Sequence, residues 1–370
     1  MVPFLDIREQ NRRIEKELRA AVDQVIDNAQ FILGPGTKSF EEAFAAYCGT
    51  KYCVGVNNGT SALHMALIAN GIGPGDEVIT TAHTWISTSW AISYVGATPK
   101  YVDIDPQTYN LDPSLVESVI TPRTKAILPV HLYGQACELK SLSSICDSHN
   151  LRLIEDAAQA HGAKCDGKRV GSIGHIGCFS FYPGKNLGAF GEAGAVVTDD
   201  QEMAERIRRL RDHAQDGRHN HVELGFNTRM EGIQGAVLEV KLRHLDAWNE
   251  ARRRLADYYR ENLANVSGLR LPQCVDPQGH VWHLFVVLVD AARRDEIRQE
   301  LADQGIATGV HYPTPVPLQP VYQHLGHKPG DFPVAEDVMA QCISLPMFPE
   351  WEESQARQVV DAVKMVVSNK

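Results

Sequence analysis

The chain has 370 residues, of which 44% are hydrophobic and 22% are charged, as is typical of a globular protein with a large buried core. Its 46 acidic residues outnumber the 36 Lys and Arg and give a formal charge of −10, which argues against nucleic acid or an anionic membrane surface as the main partner. At roughly 100–200 residues per domain, the length predicts two or three domains, or a large domain with a smaller partner.

The amino terminus and the cysteines predict a cytoplasmic protein. Residues 1–6 show no basic start followed by an apolar run, so we expect no signal peptide. No run of about 20 apolar residues predicts a membrane-spanning helix. The eight cysteines include no CxxC pair and no zinc spacing, which predicts free thiols in a reducing compartment. His219 and His221 lack a third candidate ligand, so we predict no metal site.

The first half of the chain alternates strand and helix patterns after two opening helices. The opening helices are predicted at 7–29 and 37–48, from apolar residues at helical spacing. Further helices are predicted at 60–70, 84–95, 112–120 and 138–149. Strands are predicted at 52–56, 77–81, 98–103, 125–130, 152–155, 177–181 and 194–198. This alternation indicates an α/β protein with a mostly parallel sheet, whose ligands bind at the carboxyl ends of the strands.

The pattern changes after about residue 200 and predicts a second, smaller unit. A long helix is expected at 228–262. A strand at 281–289, a helix at 291–304, a strand near 306–311 and helices near 333–341 and 351–366 follow. We therefore predict a large domain, 1–246, and a small α+β domain, 247–370.

Two segments in the first half carry candidate groups for binding a phosphate. Gly59, Thr60 and Ser61 follow a predicted strand and open a helix, so that backbone N–H groups and hydroxyls would meet at a helix N-terminus. An ordinary helix cap is the alternative. Ser180, near the end of another strand, is a second hydroxyl donor, or simply a strand residue bonded to its neighbours.

Two charged residues near strand ends suggest a reaction. Asp156 ends an apolar strand, where its carboxylate would hold a ring nitrogen protonated; capping the next helix is the alternative. Lys185 follows another strand among Gly, Pro and aromatic residues. A lysine crowded by apolar groups becomes a nucleophile towards carbonyls, whereas a surface lysine does not. With Trp85 as a flat group, these residues form the set that pyridoxal 5'-phosphate requires.

The sequence resembles the DegT/DnrJ/StrS family of nucleotide-sugar aminotransferases over essentially its whole length. The run from Ser180 to Ala189 is the most specific, and it is similar to the branch that aminates C3 of dTDP-linked 3-keto-6-deoxyhexoses. Matching motifs also stand at residues 59–63, 130–134, 155–159, 225–230 and 311–313. The resemblance implies an aspartate-aminotransferase-type fold (fold type I) with a seven-stranded sheet in the large domain.

For the cofactor, the resemblance assigns roles residue by residue. Lys185 would form the internal aldimine, Asp156 would pair with the pyridine nitrogen, and Gln159 would contact the ring hydroxyl. Trp85 would lie against the ring. The phosphate would be held by Thr60, Ser61 and Ser180, and by Asn227 of a second subunit in a homodimer with shared active sites.

For the substrate, the resemblance places Tyr182, His311 and Tyr312 in a sugar pocket. Arg218 lies in a basic, polar run that either meets the diphosphate of a sugar nucleotide or forms a solvated loop. The chain departs from the family pattern at 212–214 and 191–194, both near the expected substrate entrance.

The resemblance implies a ping-pong transamination from an amino acid, glutamate in the family, to a keto-sugar nucleotide. Within aminotransferases, amination at C4 of a GDP- or UDP-linked sugar is the alternative to C3 of a dTDP sugar. A non-catalytic, cofactor-binding regulator is the alternative from another class. The presence of Lys185, Asp156, Gln159 and Ser180 together favours the enzyme.

Overall fold

A computed structural model describes residues 1–368, and a seven-stranded sheet forms its centre. The strands are β1 (Tyr52–Val56), β2 (Glu77–Thr81), β3 (Thr98–Val102), β4 (Thr124–Leu128), β5 (Arg152–Asp156), β8 (Ile176–Ser180) and β9 (Gly194–Thr198), with a short hairpin of β6 (Lys164–Cys165) and β7 (Lys168–Arg169) between β5 and β8. Each of the seven strands predicted between residues 52 and 198 is present, with its ends shifted by at most two residues.

The strand order is β1-β9-β8-β5-β4-β2-β3. Pairing is parallel from β8 to β3, and only β9 runs against its neighbours in this sheet. Every residue of β2 and β9 is buried, as expected for strands that helices cover on both faces. The predicted α/β class and the mostly parallel seven-stranded sheet are confirmed.

Twelve α-helices surround the sheet or pack in the carboxyl-terminal part, within residues 1–368. They are α1 (Ile7–Arg13), α2 (Glu15–Asn28), α3 (Gly34–Cys48), α4 (Gly59–Ala69), α5 (Ser87–Tyr94), α6 (Leu139–His149), α7 (Gln201–Arg211), α8 (Gly232–Leu242), α9 (Leu245–Leu263), α10 (Arg294–Asp303), α11 (Pro333–Gln341) and α12 (Glu353–Ser368). Within the described residues 1–368, no helix is both long enough and apolar enough to span a bilayer.

Three predicted helices differ from the structure. The helix expected at 7–29 breaks at Ile14, whose backbone leaves the helical region. The helix expected at 112–120 is two short 3₁₀ turns, the first with Pro113 in its first position and Asp112 accepting from the N–H of Ser114. The helix expected at 228–262 divides after Leu242 because α8 packs on α2 and α3, whereas α9 packs on α12.

The carboxyl-terminal part contains a two-stranded antiparallel sheet. Its strands are β10 (Phe285–Leu288) and β11 (Cys342–Leu345). The prediction of a strand near 306–311 is wrong. This segment makes only isolated β-bridges, between Val2 and Ile306 and between Gly309 and Ser344. The four residues of β11 directly follow α11, and such a short run shows no periodicity of its own.

Separate hydrophobic clusters stabilise the sheet and the carboxyl-terminal part. One cluster joins α9, β10, β11 and α12, and it includes Val2 from the amino terminus. Another links Ala82 and Tyr133, near the carboxyl edge of the sheet, to Leu284 and Val338. The boundary between residues 246 and 247 stays a prediction. These contacts place carboxyl-terminal residues over the strand ends where a ligand was expected.

Candidate active site

A cavity of about 810 Å³ lies where β5 and β8 end and α4 and α5 begin. Carboxyl-terminal residues around 283, 311 and 347 complete its lining. The structure therefore brings together most of the residues predicted from separate motifs. Nine of them line the cavity: Thr60, Trp85, Asp156, Gln159, Ser180, Tyr182, Lys185, His311 and Tyr312.

Asp156 is the last residue of β5, and its carboxylate is buried. One oxygen, Oδ2, accepts a hydrogen bond of 2.9 Å from the Thr88 hydroxyl, and Oδ1 accepts one of 3.1 Å from the N–H of Ala158. Burial raises the pKa of Asp156 above its ordinary value, although these donors and the positive charge of Lys185 oppose the shift. The carboxylate is thus held rigidly, with a cation close by.

Glu155, the preceding residue, points to the opposite face of β5 because side chains alternate along a strand. Its buried carboxylate accepts a bond of 2.9 Å from His131 and bonds from three N–H groups of the 171–174 segment. The hydrogen bond and charge of His131 and these N–H groups lower the pKa of Glu155 despite the opposing effect of burial. The two neighbouring carboxylates of β5 therefore have different structural roles, since Glu155 binds the 171–174 loop and Asp156 lines the cavity.

Lys185 lies in the loop that follows β8, and its N–H donates to the carbonyl of Tyr182 at 2.8 Å. The side chain is half-buried and lines the cavity with Asp156. Burial lowers the pKa of Lys185 to about 8, against the opposing effect of the Asp156 carboxylate. At pH 7 about a tenth of this amine is therefore uncharged, far more than in an ordinary lysine, and the neutral form is the one that acts as a nucleophile.

The amino terminus of α4 meets the end of β8 at one side of the cavity. Asn58 caps the helix, since its side chain accepts a hydrogen bond of 2.8 Å from the N–H of Ser61. Ser61 lies in the first turn of α4, but it is not among the residues that line the cavity. Thr60 does line it, and its hydroxyl donates to Ser87 at 2.9 Å. The helix thus directs its positive dipole end towards Ser180.

Tyr312, from the carboxyl-terminal part, contacts both Gln159 and Trp85. Gln159 accepts the N–H of Tyr133 at 2.8 Å and donates to the hydroxyl of Tyr312 at 3.1 Å. The ring of Tyr312 lies 5.5 Å from that of Trp85, which is 55% exposed. Gln159 therefore fixes Tyr312 at the edge of the cavity.

His311 is held by residues from two distant segments. Its Nδ1 lies 2.8 Å from the hydroxyl of Ser344, and its ring stacks on Phe4 with centroids 5.6 Å apart. Tyr182, on the Lys185 loop, lines the same cavity and is 55% exposed. These side chains leave an open, partly aromatic entrance.

Arg218 and Asn227 do not line the cavity of their own chain. Both are exposed. Arg218 contacts its neighbour His219, and Asn227 accepts a bond of 2.6 Å from Arg229. They lie in the segment that follows α7, on the surface of this chain.

The structure adds cavity residues that the sequence did not single out. Thr88 is the second residue of α5, and only the fold shows that its hydroxyl meets Asp156. His283, just before β10, lines the cavity, as do Phe4 and Leu5 from the amino terminus. The histidine in an otherwise apolar run at 281–289 was a usable signal for His283, whereas no local pattern reveals the position of Phe4.

Comparison with known proteins assigns the family. The chain belongs to the DegT/DnrJ/EryC1/StrS aminotransferase family, whose model matches residues 12–364. This result confirms the resemblance drawn from the motifs and defines the class of protein to which the fold and the cavity belong.

Individual relatives match over nearly the full length. The chain is 47% identical to the dTDP-3-amino-3,4,6-trideoxy-alpha-D-glucose transaminase of Streptomyces venezuelae, over 98% of this chain and 95% of the relative. It is 46% identical to a Geobacillus stearothermophilus protein named pleiotropic regulatory protein, over 98% and 97%. The crystal structure of S. venezuelae DesV in complex with a ketimine intermediate superposes with a TM-score of 0.97 at 46% identity, covering 100% of this chain and 99% of that chain.

Proposed function

We propose that the protein is a pyridoxal 5'-phosphate-dependent aminotransferase that moves an amino group from glutamate to C3 of a dTDP-linked 3-keto-6-deoxyhexose. The convergence of Lys185, Asp156 and the amino terminus of α4 on one cavity carries this proposal. An amine, a carboxylate and a phosphate site in one cavity are the groups that this cofactor requires. The S. venezuelae transaminase, acting on a dTDP-linked 3-amino sugar by its name, supports the sugar and the position.

The residues present fit the phosphate end of the cofactor. A Cβ added at Gly59 would lie 2.6 Å from the Cβ of Ser180, so a glycine is needed where α4 approaches β8. The first N–H groups of α4 and the hydroxyls of Thr60 and Ser180 would then hold the phosphate, with Ser61 in the same helical turn. Trp85 would lie against the ring of the cofactor.

When bound, the cofactor supplies an electron sink for the carbon that loses its proton. Lys185 Nζ, with a pKa of about 8, accepts that proton as the neutral amine and returns it as the ammonium. The Asp156 carboxylate, oriented by Thr88 and Ala158, holds a proton on the ring nitrogen. Gln159 would contact the ring hydroxyl while it keeps its hydrogen bond to Tyr312.

Both half-reactions use the same cavity, so the keto acid formed from the amino donor would leave before the keto sugar enters. Tyr182, His311 and Tyr312 would contact the sugar, since they form the partly aromatic entrance. Arg218 would meet the diphosphate, because a guanidinium forms paired hydrogen bonds with phosphate oxygens.

The active protein would be a homodimer with shared active sites. Asn227 lies outside the cavity of its own chain, so it would reach a cofactor phosphate only in a second copy. We also place the protein in the cytoplasm, since all eight cysteines are free thiols in the structure.

The regulatory name of the G. stearothermophilus relative favours a second candidate, a cofactor-binding protein that does not transfer amino groups. The glutamate half-reaction separates the two. The holoenzyme mixed with glutamate, without a sugar, should convert its cofactor to the amine form in stoichiometric amount, read by the loss of visible absorbance. A holoprotein whose spectrum glutamate leaves unchanged would favour the regulator.

A panel of keto-sugar nucleotides tests the substrate. We expect glutamate-dependent amination of a dTDP-3-keto-6-deoxyhexose, detected by product mass. Faster amination of a GDP- or UDP-linked 4-keto sugar would instead establish the C4 alternative.

A further inference from the structure

A ladder of buried polar side chains connects the Lys185 loop to His283. Asn249 Nδ2 donates to the carbonyl of His161 at 2.8 Å. Asn186 Nδ2 donates to Asn249 Oδ1 at 2.9 Å and to the carbonyl of Val281 at 2.8 Å. Asn186 Oδ1 lies 3.1 Å from His283 Nδ1. Asn186 and Asn249 are both buried, so this ladder is shielded from solvent.

The ladder determines which nitrogen of His283 carries the proton. A backbone carbonyl only accepts, so the carbonyls of His161 and Val281 fix the orientation of both amides. Asn186 Oδ1 is therefore the acceptor that faces His283, and His283 Nδ1 must carry a hydrogen. In the neutral ring, Nε2 then holds a lone pair and only accepts hydrogen bonds.

The surroundings keep the ring of His283 neutral. Burial and the positive charges of Lys185 and Arg252 lower the pKa of His283 well below its ordinary value. Electrostatic interactions with His161 and His311 lower the pKa of His283 as well. The half-buried ring lines the cavity, and within residues 1–368 its Nε2 makes no hydrogen bond.

We propose that His283 Nε2 accepts a hydrogen bond from a hydroxyl of the hexose ring and so helps the cavity to select the sugar. This inference rests on the proposed sugar aminotransferase function. A neutral acceptor matches an uncharged donor such as a hydroxyl, whereas it offers nothing to the carboxylates of glutamate, which have only lone pairs. His283 therefore acts in the sugar half-reaction and not in the glutamate half-reaction.

The test compares His283→Leu with His283→Gln in the holoenzyme. Leucine removes the acceptor, whereas glutamine places an amide oxygen near the position of Nε2. We expect His283→Leu to weaken binding of the dTDP-linked 3-amino-3,6-dideoxyhexose product about 10-fold, the usual effect of losing a hydrogen bond to a ligand hydroxyl. The KM for the keto sugar should rise similarly, while the glutamate half-reaction keeps its rate. The glutamine variant should recover most of the product affinity.

Equal slowing of both half-reactions by His283→Leu would overturn the proposal, because His283 would then act through Lys185. Unchanged product affinity in His283→Leu, or equal losses in the leucine and glutamine variants, would overturn it too. Product binding requires no turnover, so this measurement decides the role of His283 separately from the aminotransferase activity. An inactive wild-type protein that still binds the product through His283 would reject only the proposed reaction.

Discussion

The residues of the predicted site lie in two regions, the cavity and the segment at 212–229, and these regions differ in how far their side chains are buried and hydrogen-bonded. In the cavity, each oxygen of Asp156 has a donor, and Lys185 lies half-buried in the same lining. In the segment, Arg218 and Asn227 are exposed, and Leu224 is 92% exposed. This contrast is what we expect if one chain completes the cofactor end, and if the segment acts only against a second copy.

The largest effect should come from the reacting amine. Lys185→Ala should abolish turnover and the visible absorbance of bound cofactor, because a methyl group neither links to the cofactor nor carries a proton. Lys364→Ala, at an exposed position of α12, is the matched control and should keep both. Full activity of Lys185→Ala would exclude the role assigned to this residue.

The buried carboxylate should come next. Asp156→Asn keeps the shape of the side chain but removes its charge, so turnover should fall about 100-fold, a usual loss for one electrostatic partner of a transition state. Steady-state assay with the keto sugar measures it, and Asp147→Asn on the exposed face of α6 serves as the control. Wild-type turnover in Asp156→Asn would mean that this carboxylate does not face the reacting ring.

The lowered pKa of Lys185 predicts a pH dependence with a definite sign. Below a pKa of about 8, the neutral amine falls about tenfold for each pH unit, because the ammonium form then dominates. Capture of pyridoxal 5'-phosphate by the apoprotein should slow accordingly as the pH falls, and stopped-flow absorbance follows it. A rate that keeps rising up to the ordinary lysine value of 10.5 would contradict the lowered pKa.

The exposed segment can be tested by mixing variants. Asn227→Ala should weaken cofactor binding, and Lys185→Ala should be inactive. If Asn227 acts across the dimer, a mixed dimer pairs the intact lysine of one chain with the intact asparagine of the other. Random exchange in an equal mixture then restores about a quarter of the sites, as the symmetry of a two-fold dimer requires. Activity that does not increase on mixing would place Asn227 in its own chain's site.

The smallest effect concerns Thr88. Thr88→Val removes the hydroxyl that donates to Asp156 Oδ2, so the pKa of Asp156 should rise further and turnover should fall about fivefold, the value of one ordinary hydrogen bond. Thr88→Ser retains the hydroxyl and is the control. The change is measured by the turnover rate and by a pH titration of the cofactor absorbance. Equal turnover rates and equal titration curves in the valine and serine variants would mean that the hydroxyl does not affect the pKa of Asp156.

Much of the cavity was predictable because its residues stand in contiguous motifs. Asp156 ends an apolar strand, Lys185 follows another strand, and Gly59 opens a helix, so each has a local signal. Parallel strands bring their carboxyl ends to one edge, which places these separate motifs together. The roles of the individual residues remain predictions.

Other features depended on contacts between distant parts of the chain. The strand β11 forms where Cys342–Leu345 meets β10, while the segment at 306–311, which was predicted as a strand, makes only isolated bridges. Thr88 acquires its place from the approach of α5 to β5, and Phe4 acquires its place by stacking on His311. None of these pairings leaves a periodic pattern in the local sequence.

By itself, the sequence determined the α/β class, the seven strands and the family, because strand periodicity and glycine- or lysine-bearing motifs are local properties of the chain. Only the tertiary structure decided which nitrogen of His283 bonds to Asn186 and that the hydroxyl of Thr88 donates to Asp156. Those properties arise from hydrogen bonds between residues far apart in the chain. A hydrogen bond of that kind exists only after the backbone has brought its donor and acceptor within about 3 Å of each other.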